Sequence, residues 1–146
     1  MRLKSTRVGE RGAALVEFSI AALVFLTAVF AVIEFGRLLW THNALTDAAR
    51  RGARHAVTRG PAAGEEARRM TVYGTTGDGA NSPLVTGLKT SNVVVTHSAD
   101  FNVGQGTVKV SIQNYDFKFA VPLLGTKIRM PDYTSTLTAE SAGTMP

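Results

Sequence analysis

A single carboxylate lies inside the most apolar part of this sequence. Glu17 is the only charged residue between Ala13 and Ile33, a run whose other polar residues are Ser19 and Thr27. A charged side chain in a bilayer segment costs about 2 to 4 kcal/mol near the centre, so such a residue is by default a functional one. Glu17 is therefore the first candidate functional residue, and it requires a partner that offsets this cost.

The run over 13–33 is long enough to cross a membrane. At about 1.5 Å per helical residue it extends for about 31 Å, close to the thickness of the hydrocarbon core. The segment before it contains Arg2, Lys4, Arg7 and Arg11 against Glu10 alone, the composition of a segment kept in the cytoplasm. A cleaved secretory signal has a shorter apolar core, and a buried core helix would need more chain to cover it. The run favours a membrane-spanning helix.

The residues around Gly12 have the pattern of a processing site. The string from Glu10 to Phe18 is Glu-Arg-Gly-Ala-Ala-Leu-Val-Glu-Phe, and it follows a basic leader. It resembles the processing site of a type IV prepilin of the Tad (Flp) class. The resemblance implies that a prepilin peptidase cuts between Gly12 and Ala13, which makes Glu17 the fifth mature residue and Phe18 the sixth.

The same resemblance implies an assembly role for the residues that follow the cut. The new ammonium group of Ala13 would pair with the Glu17 carboxylate of a neighbouring subunit and set the register between the two helices. Phe18 stands where the major Tad pilins commonly have tyrosine, which indicates the pseudopilin branch.

The likeness to one family extends over nearly the whole chain. After the apolar run come Glu34-Phe-Gly-Arg37, Ala-Ala-Arg50, a glycine-rich loop, Val-x-Val-x-Ile-x-x-Tyr115 and Pro122-Leu-Leu. This order is similar to that of the TadE-like proteins, minor pilins or pseudopilins of the Tad pilus system. Ala-Glu140-Ser-Ala lacks the Arg-x-Glu of many relatives, so no role is carried over to Glu140.

The patterning predicts an α+β fold, in which a long N-terminal transmembrane and amphipathic helix packs on a small antiparallel sheet, as in pilins. The apolar run, continued beyond Ile33 by apolar residues at three- and four-residue spacing, predicts that helix over 14–58, and a second, short helix follows over 62–73. Strands are predicted at 92–98, 107–113 and 134–140. The apolar alternation shifts by one residue at Gln113-Asn114, which predicts a bulge there.

These elements divide the chain into four expected parts. They are a prepilin leader over 1–12, the transmembrane part of the long helix over 13–33, its periplasmic continuation over 34–59 and a small α+β head domain over 60–146. The protein is expected in the inner membrane as a single-pass protein, with its N-terminus cytoplasmic and its head periplasmic. Whether it then enters an extracellular pilus is left open.

The net charge of +5 comes from the first half of the chain. Residues 1–69 carry 11 basic and 6 acidic side chains, whereas residues 70–146 carry 5 of each. Because these basic residues lack interleaved aromatics and a recognition-helix motif, they do not predict nucleic-acid binding. The expected partners are a prepilin peptidase, other pilins, Tad assembly proteins and inner-membrane lipid.

No residue pattern in the sequence predicts catalysis. Ser91, His97 and Asp100 fall within ten residues of one another, a spacing that arises often by chance. The chain has no cysteine, which excludes thiolate chemistry and disulfides. The loop over 74–81 lacks the ligand pattern of an EF-hand. We expect neither an enzyme nor a cofactor or metal site.

The predicted function is that of a minor pilin or pseudopilin in the assembly of a Tad (Flp) type IV adhesive pilus, and hence a part in cell adhesion. A type II secretion pseudopilin is built on the same plan, but its mature sequence usually starts with Phe-Thr-Leu, where this chain has Ala-Ala-Leu. A single-pass protein that anchors a periplasmic binding domain outside any pilus is the other alternative.

Overall fold

A single α-helix, α1, forms the long axis of the molecule. The computed structural model describes residues 8–77, 82–102, 105–121 and 126–142. Helix α1 runs over Val8–Arg59 and, at about 1.5 Å per residue, is about 78 Å long. Gly60 ends it, because its φ of 78° leaves the helical region and its N–H donates to the Ala56 carbonyl at 3.1 Å. Pro61 then prevents continuation. The predicted long helix is confirmed.

A helical hairpin follows this end. A 3₁₀ turn over Pro61–Ala63 leads into helix α2, Gly64–Tyr73, which packs back against α1. The first residues of the predicted second helix form the 3₁₀ turn. Helix α2 ends at Gly74, which adopts a left-handed φ of 74° and donates its N–H to the Met70 carbonyl at 3.0 Å.

The described residues form five short strands in two antiparallel sheets. The strands are β1 (Val93–His97), β2 (Thr107–Ile112), β3 (Asp116–Lys118), β4 (Lys127–Arg129) and β5 (Tyr133–Thr138). The larger sheet has the order β1-β2-β5, and β3 pairs with β4 in a separate ribbon. The fold is therefore α+β, as predicted.

The core lies between the second half of α1 and the inner face of the larger sheet. Val108, Val110 and Ile112 on β2 are fully buried, and alternate residues of β1 and β5 lie beside them on this face. Helix α1 meets them through a side made of small residues and one leucine: Leu45, Ala48, Ala49, Ala53 and Ala56. Alanines let the helix approach the sheet closely, so a short chain can exclude water from this layer.

The bulge predicted at Gln113-Asn114 is wrong. Asn114 has a φ of 56°, a conformation that asparagine tolerates better than most residues, and here it ends β2. The chain then enters β3, and Tyr115, directly before this strand, and Phe117 on it remain buried in the same core. The shift in alternation therefore marks the passage from one sheet to the other.

Two other boundaries differ from the predictions. The last strand is β5, which begins at Tyr133 and gives way to a 3₁₀ turn over Ala139–Ala142. Strand β4 was not predicted, because Lys-Ile-Arg is too short to show an alternation. The Pro122-Leu-Leu motif and most of the predicted leader lie outside the described residues.

Candidate functional site: the exposed helix and its junction with the head

The four predicted site residues lie on successive turns near the start of the described part of α1. The side chains of Ala13, Glu17 and Phe18 are exposed, and Phe18 is 71% accessible. Around Gly12, no atom lies within 4 Å of the position that a Cβ would take. Glu17 follows Ala13 by one helical turn, so the two occupy the same side of α1.

Glu17 is the one side chain in the apolar run whose polar atoms have no partner among the described residues. The hydroxyl of Ser19 donates to the Leu15 carbonyl at 2.7 Å, and that of Thr27 donates to the Leu23 carbonyl at 2.8 Å. Both hydroxyls are thus satisfied within the helix, as they must be where water is absent. The carboxylate of Glu17 can be satisfied only from outside this chain's described part.

The apolar surface of α1 is long, continuous and uncovered. The helix has the length and composition to cross a membrane, and none of its apolar window is buried against the head. Large exposed side chains continue from Leu15 to Trp40, beyond the run that ends at Ile33. A surface of this size on a soluble monomer would be exceptional, so it requires lipid or other helices around it.

The head is joined to α1 at Glu34, directly after the apolar run. This carboxylate is only 2% exposed. Its two oxygens accept hydrogen bonds of 2.7 Å from Arg37 Nη1, and Oε1 also accepts the backbone N–H of Ala120 at 3.1 Å. A buried carboxylate with these partners joins the helix to a residue 86 positions away in the sequence.

Arg37 and the aromatic residues of the head complete this junction. The Arg37 guanidinium lies over the Phe117 ring, 5.3 Å from its centroid, and the Phe117 ring meets Phe119 edge to face. Tyr115 donates its hydroxyl to the Thr86 carbonyl at 2.8 Å. Burial raises the pKa of Tyr115 above its ordinary value of 10.0, although the Arg37 charge opposes this, so the phenol stays protonated and a donor.

The β3–β4 ribbon beside this junction contains a small charge cluster. Asp116 accepts hydrogen bonds from Lys127 Nζ at 3.2 Å and from Arg129 Nε at 3.3 Å. These two bonds, the one from Lys127 first, hold the pKa of Asp116 below its ordinary value of 3.8. The carboxylate is therefore ionised at neutral pH and neutralised by the two cations across the ribbon.

The structure does not bring Ser91, His97 and Asp100 together. Ser91 lies in the 3₁₀ turn over Thr90–Asn92 before β1, and His97 is the last residue of β1, so the length of this five-residue strand, about 3.3 Å per residue, separates them. The His97 ring meets Phe101 edge to face, with 4.8 Å between centroids. A hydrogen bond from Ser98 lowers the pKa of Asp100, which is exposed.

Glu34 and Arg37 belong to the features that the sequence shares with the TadE-like proteins, but the sequence predicted no role for either residue. A signal was present, because an acid and a base three residues apart stand immediately after an apolar run. The sequence could not predict the third group of this hydrogen-bond network, the backbone N–H of Ala120. That contact depends on how the head folds back onto the helix.

The fold and the site together define a class of protein, in which an apolar, uncovered helix that is able to span a membrane carries a small α+β head. Residues 12–54 match the model of the TadE-like protein family. Over this segment the chain is similar to the TadE-like proteins, as the sequence predicted; this family suggests an association with the Tad pilus, and the match fits a membrane-anchored protein. No curated protein and no solved structure matches the chain.

Proposed function

We propose that the protein is a minor pilin or pseudopilin that takes part in the assembly of a Tad (Flp) type IV adhesive pilus. The observation that carries this proposal is the TadE-like match over residues 12–54, which starts at Gly12 and covers the apolar, uncovered part of α1. The role is structural. Helix α1 supplies the surface that packs against lipid before assembly and against other pilins and Tad assembly proteins afterwards.

The proposal includes the domain organisation and orientation given by the sequence. The leader over 1–12 stays in the cytoplasm, 13–33 crosses the inner membrane, and 34–59 continues the helix into the periplasm. The burial of Glu34 and its hydrogen bond from the Ala120 N–H support the boundary after Ile33, because this is where the described head first covers α1. The head over 60–146 is then periplasmic.

A prepilin peptidase removes the leader after Gly12. We expect the protein extracted from membranes to begin at Ala13, and the protein from cells that lack the peptidase to retain Met1. Gly12→Val should block processing, because the resemblance to prepilins places a glycine directly before the scissile bond and the variant puts a branched side chain there. N-terminal sequencing of both preparations measures this.

Gly36→Val is the matched control for this experiment. Gly36 is another glycine of α1 with no atom within 4 Å of a Cβ position, but it lies beyond the apolar run. Its variant should be processed normally. A mature start other than Ala13, or processing that does not depend on the peptidase, contradicts the proposed cleavage.

Glu17 pairs with the ammonium of Ala13 from a neighbouring subunit. Two opposite unit charges about 4 Å apart attract by about 4 kcal/mol at an effective dielectric near 20, before the cost of desolvation. Glu17→Ala should therefore leave the protein in the membrane but reduce its incorporation into assembled pili or assembly complexes at least tenfold, which is about 1.4 kcal/mol. Quantitative immunoblots of sheared pili and of membranes measure both pools.

Glu17→Asp and Phe18→Tyr are the comparison variants. Aspartate keeps the charge on a shorter side chain and should retain part of the assembly, whereas tyrosine at 18 restores the residue common in major pilins and should be tolerated. Unchanged assembly of Glu17→Ala would remove the register role of this carboxylate. It would leave the cleavage after Gly12 to be decided by the N-terminal sequence.

A further inference from the structure

A cavity of about 640 Å³ opens between α1 and the head, next to the junction at Glu34. One wall is α1, with Arg37 and Trp40, and the others are the segment that contains Lys89 and the β3 strand that ends at Lys118. Tyr115 also contributes to its lining. The cavity is thus lined by aromatic rings and by side chains that carry positive charge.

The depth of this cavity along α1 places it at a membrane surface. Arg37 lies about 6 Å and Trp40 about 10 Å beyond Ile33, at 1.5 Å per residue. The polar layer of a bilayer leaflet is about 5–8 Å thick. Trp40 is 63% exposed, and Phe35 and Leu39 are also exposed just below it. Arg37 therefore lies within the headgroup layer, and Trp40 lies at its outer edge, where an aromatic ring can contact headgroups.

The charge around the cavity is positive and partly unpaired. The ammonium groups of Lys89 and Lys118 have no hydrogen-bond or ion-pair partner in the part of the chain that the structure describes. Arg37 Nη1 is held by Glu34, which fixes the guanidinium and leaves its other N–H groups able to donate. The one acid in the lining, Asp116, is already neutralised by two cations of the ribbon.

We propose that this cavity binds the phosphate of an anionic phospholipid in the leaflet next to the head. The inference rests on the membrane anchorage in the proposed function, and it adds a ligand to it. Lys89 and Lys118 would provide the charge, Arg37 a fixed set of donors within the headgroup layer, and Trp40 an aromatic contact with the headgroup. An acidic peptide would find the same charge but would have no use for the exposed apolar side of α1 directly below the opening.

The single tryptophan of the chain, Trp40, provides a direct probe. The full-length protein in a mild neutral detergent is titrated with dihexanoyl phosphatidylglycerol, and the Trp40 emission is recorded. We expect a saturable change, with half-saturation at least tenfold below that for dihexanoyl phosphatidylcholine. Lys89→Ser and Lys118→Ser should each raise the half-saturation concentration at least threefold.

Lys109→Ser is the matched control, since Lys109 is equally basic and exposed but lies on β2, outside the cavity lining. It should bind like the unmodified protein. Equal binding of the two lipids, or equal effects of the three lysine variants, overturns the proposal. If inorganic phosphate saturates the fluorescence signal at concentrations as low as those of phosphatidylglycerol, the ligand is free phosphate and not a lipid. If hexaglutamate binds more tightly than phosphatidylglycerol, the ligand is an acidic protein partner.

The outcome is independent of pilus assembly, because the lipid is added to purified protein. If lipid binding fails while the membrane protein starts at Ala13, the proposed function stands and the lipid site is withdrawn. If lipid binding succeeds while the N-terminus is uncut, the lipid site stands and the cleavage proposal is withdrawn.

Discussion

Gly52→Ala should lower the free energy of unfolding of the head by about 2–3 kcal/mol, within the range measured for overpacked cores. Gly52 faces α2 at the closest approach of the two helices. An added Cβ would lie 1.9 Å from Thr71 Oγ1, 3.2 Å from Thr71 Cβ and 3.3 Å from the Ala67 carbonyl oxygen. Because Thr71 is itself fully buried, it cannot move away without disturbing the packing around it.

Urea unfolding of the full chain in detergent, followed by near-ultraviolet circular dichroism, measures this loss. Gly36→Ala is the matched control on the same helix, because a Cβ there meets no atom within 4 Å. The control should be neutral or slightly stabilising, since alanine favours a helix over glycine by about 1 kcal/mol. Equal stabilities of the two variants would contradict the close contact between α1 and α2.

The double variant Gly52→Ala/Thr71→Ala tests the mechanism. Thr71→Ala alone removes the hydrogen bond from Thr71 Oγ1 to the Ala67 carbonyl and leaves a small void, so it is destabilising. In the presence of Gly52→Ala it also removes the atom that the new methyl group would strike. The double variant should therefore lose at least 1 kcal/mol less free energy of unfolding than the sum of the losses of the two single variants. Additive losses would show that the clash lies elsewhere.

The elements with a strong local pattern could be predicted from the sequence. Helix α1 carries a long apolar run followed by a 3.6-residue periodicity, and strand β2 carries an alternation of 2 residues. Both lie where the sequence placed them, except that α1 begins at Val8, six residues before the predicted start. Strand β4 has only three residues, all of them exposed, and its position is decided by its pairing with β3. The break at Asn114 looked like a bulge, because a shift in alternation does not say whether the next residues stay in the same sheet.

In the candidate site, too, some residues could be identified from local sequence and others depend on contacts between distant segments. Glu17 could be found because a carboxylate in an apolar run is anomalous by itself, without knowledge of its surroundings. The role of Glu34 could not, since it depends on Ala120, and the approach of Gly52 to Thr71 depends on how α2 folds back. The cavity beside Trp40 needs three distant segments to meet. In each case the decisive contact is between residues far apart in the sequence, where local patterns hold no information.

Glu34→Ala should destabilise the attachment of the head to α1 by about 2–3 kcal/mol. The substitution removes three hydrogen bonds to a charged acceptor that is only 2% exposed, and hydrogen bonds to charged groups contribute about 1.5–3 kcal/mol, whereas Ala120 is exposed and water can solvate its N–H. Arg37 limits the loss, because its side chain is 47% exposed and water can solvate it. Hydrogen exchange of the peptide over 116–121 should accelerate more than exchange in β2, since the junction opens before the sheet does.

Glu65→Ala is the matched control for this last prediction. Glu65 also accepts a hydrogen bond from an arginine three residues ahead, Arg68, at 3.0 Å, but its side chain is 66% exposed. An exposed pair of this kind contributes about 0.5 kcal/mol or less. Glu34→Gln should fall between the two, because its amide oxygen can still accept from Ala120 while the charge on Arg37 loses its counterpart. If Glu34→Ala proves no more costly than Glu65→Ala, the attachment of the head at Glu34 is disproved.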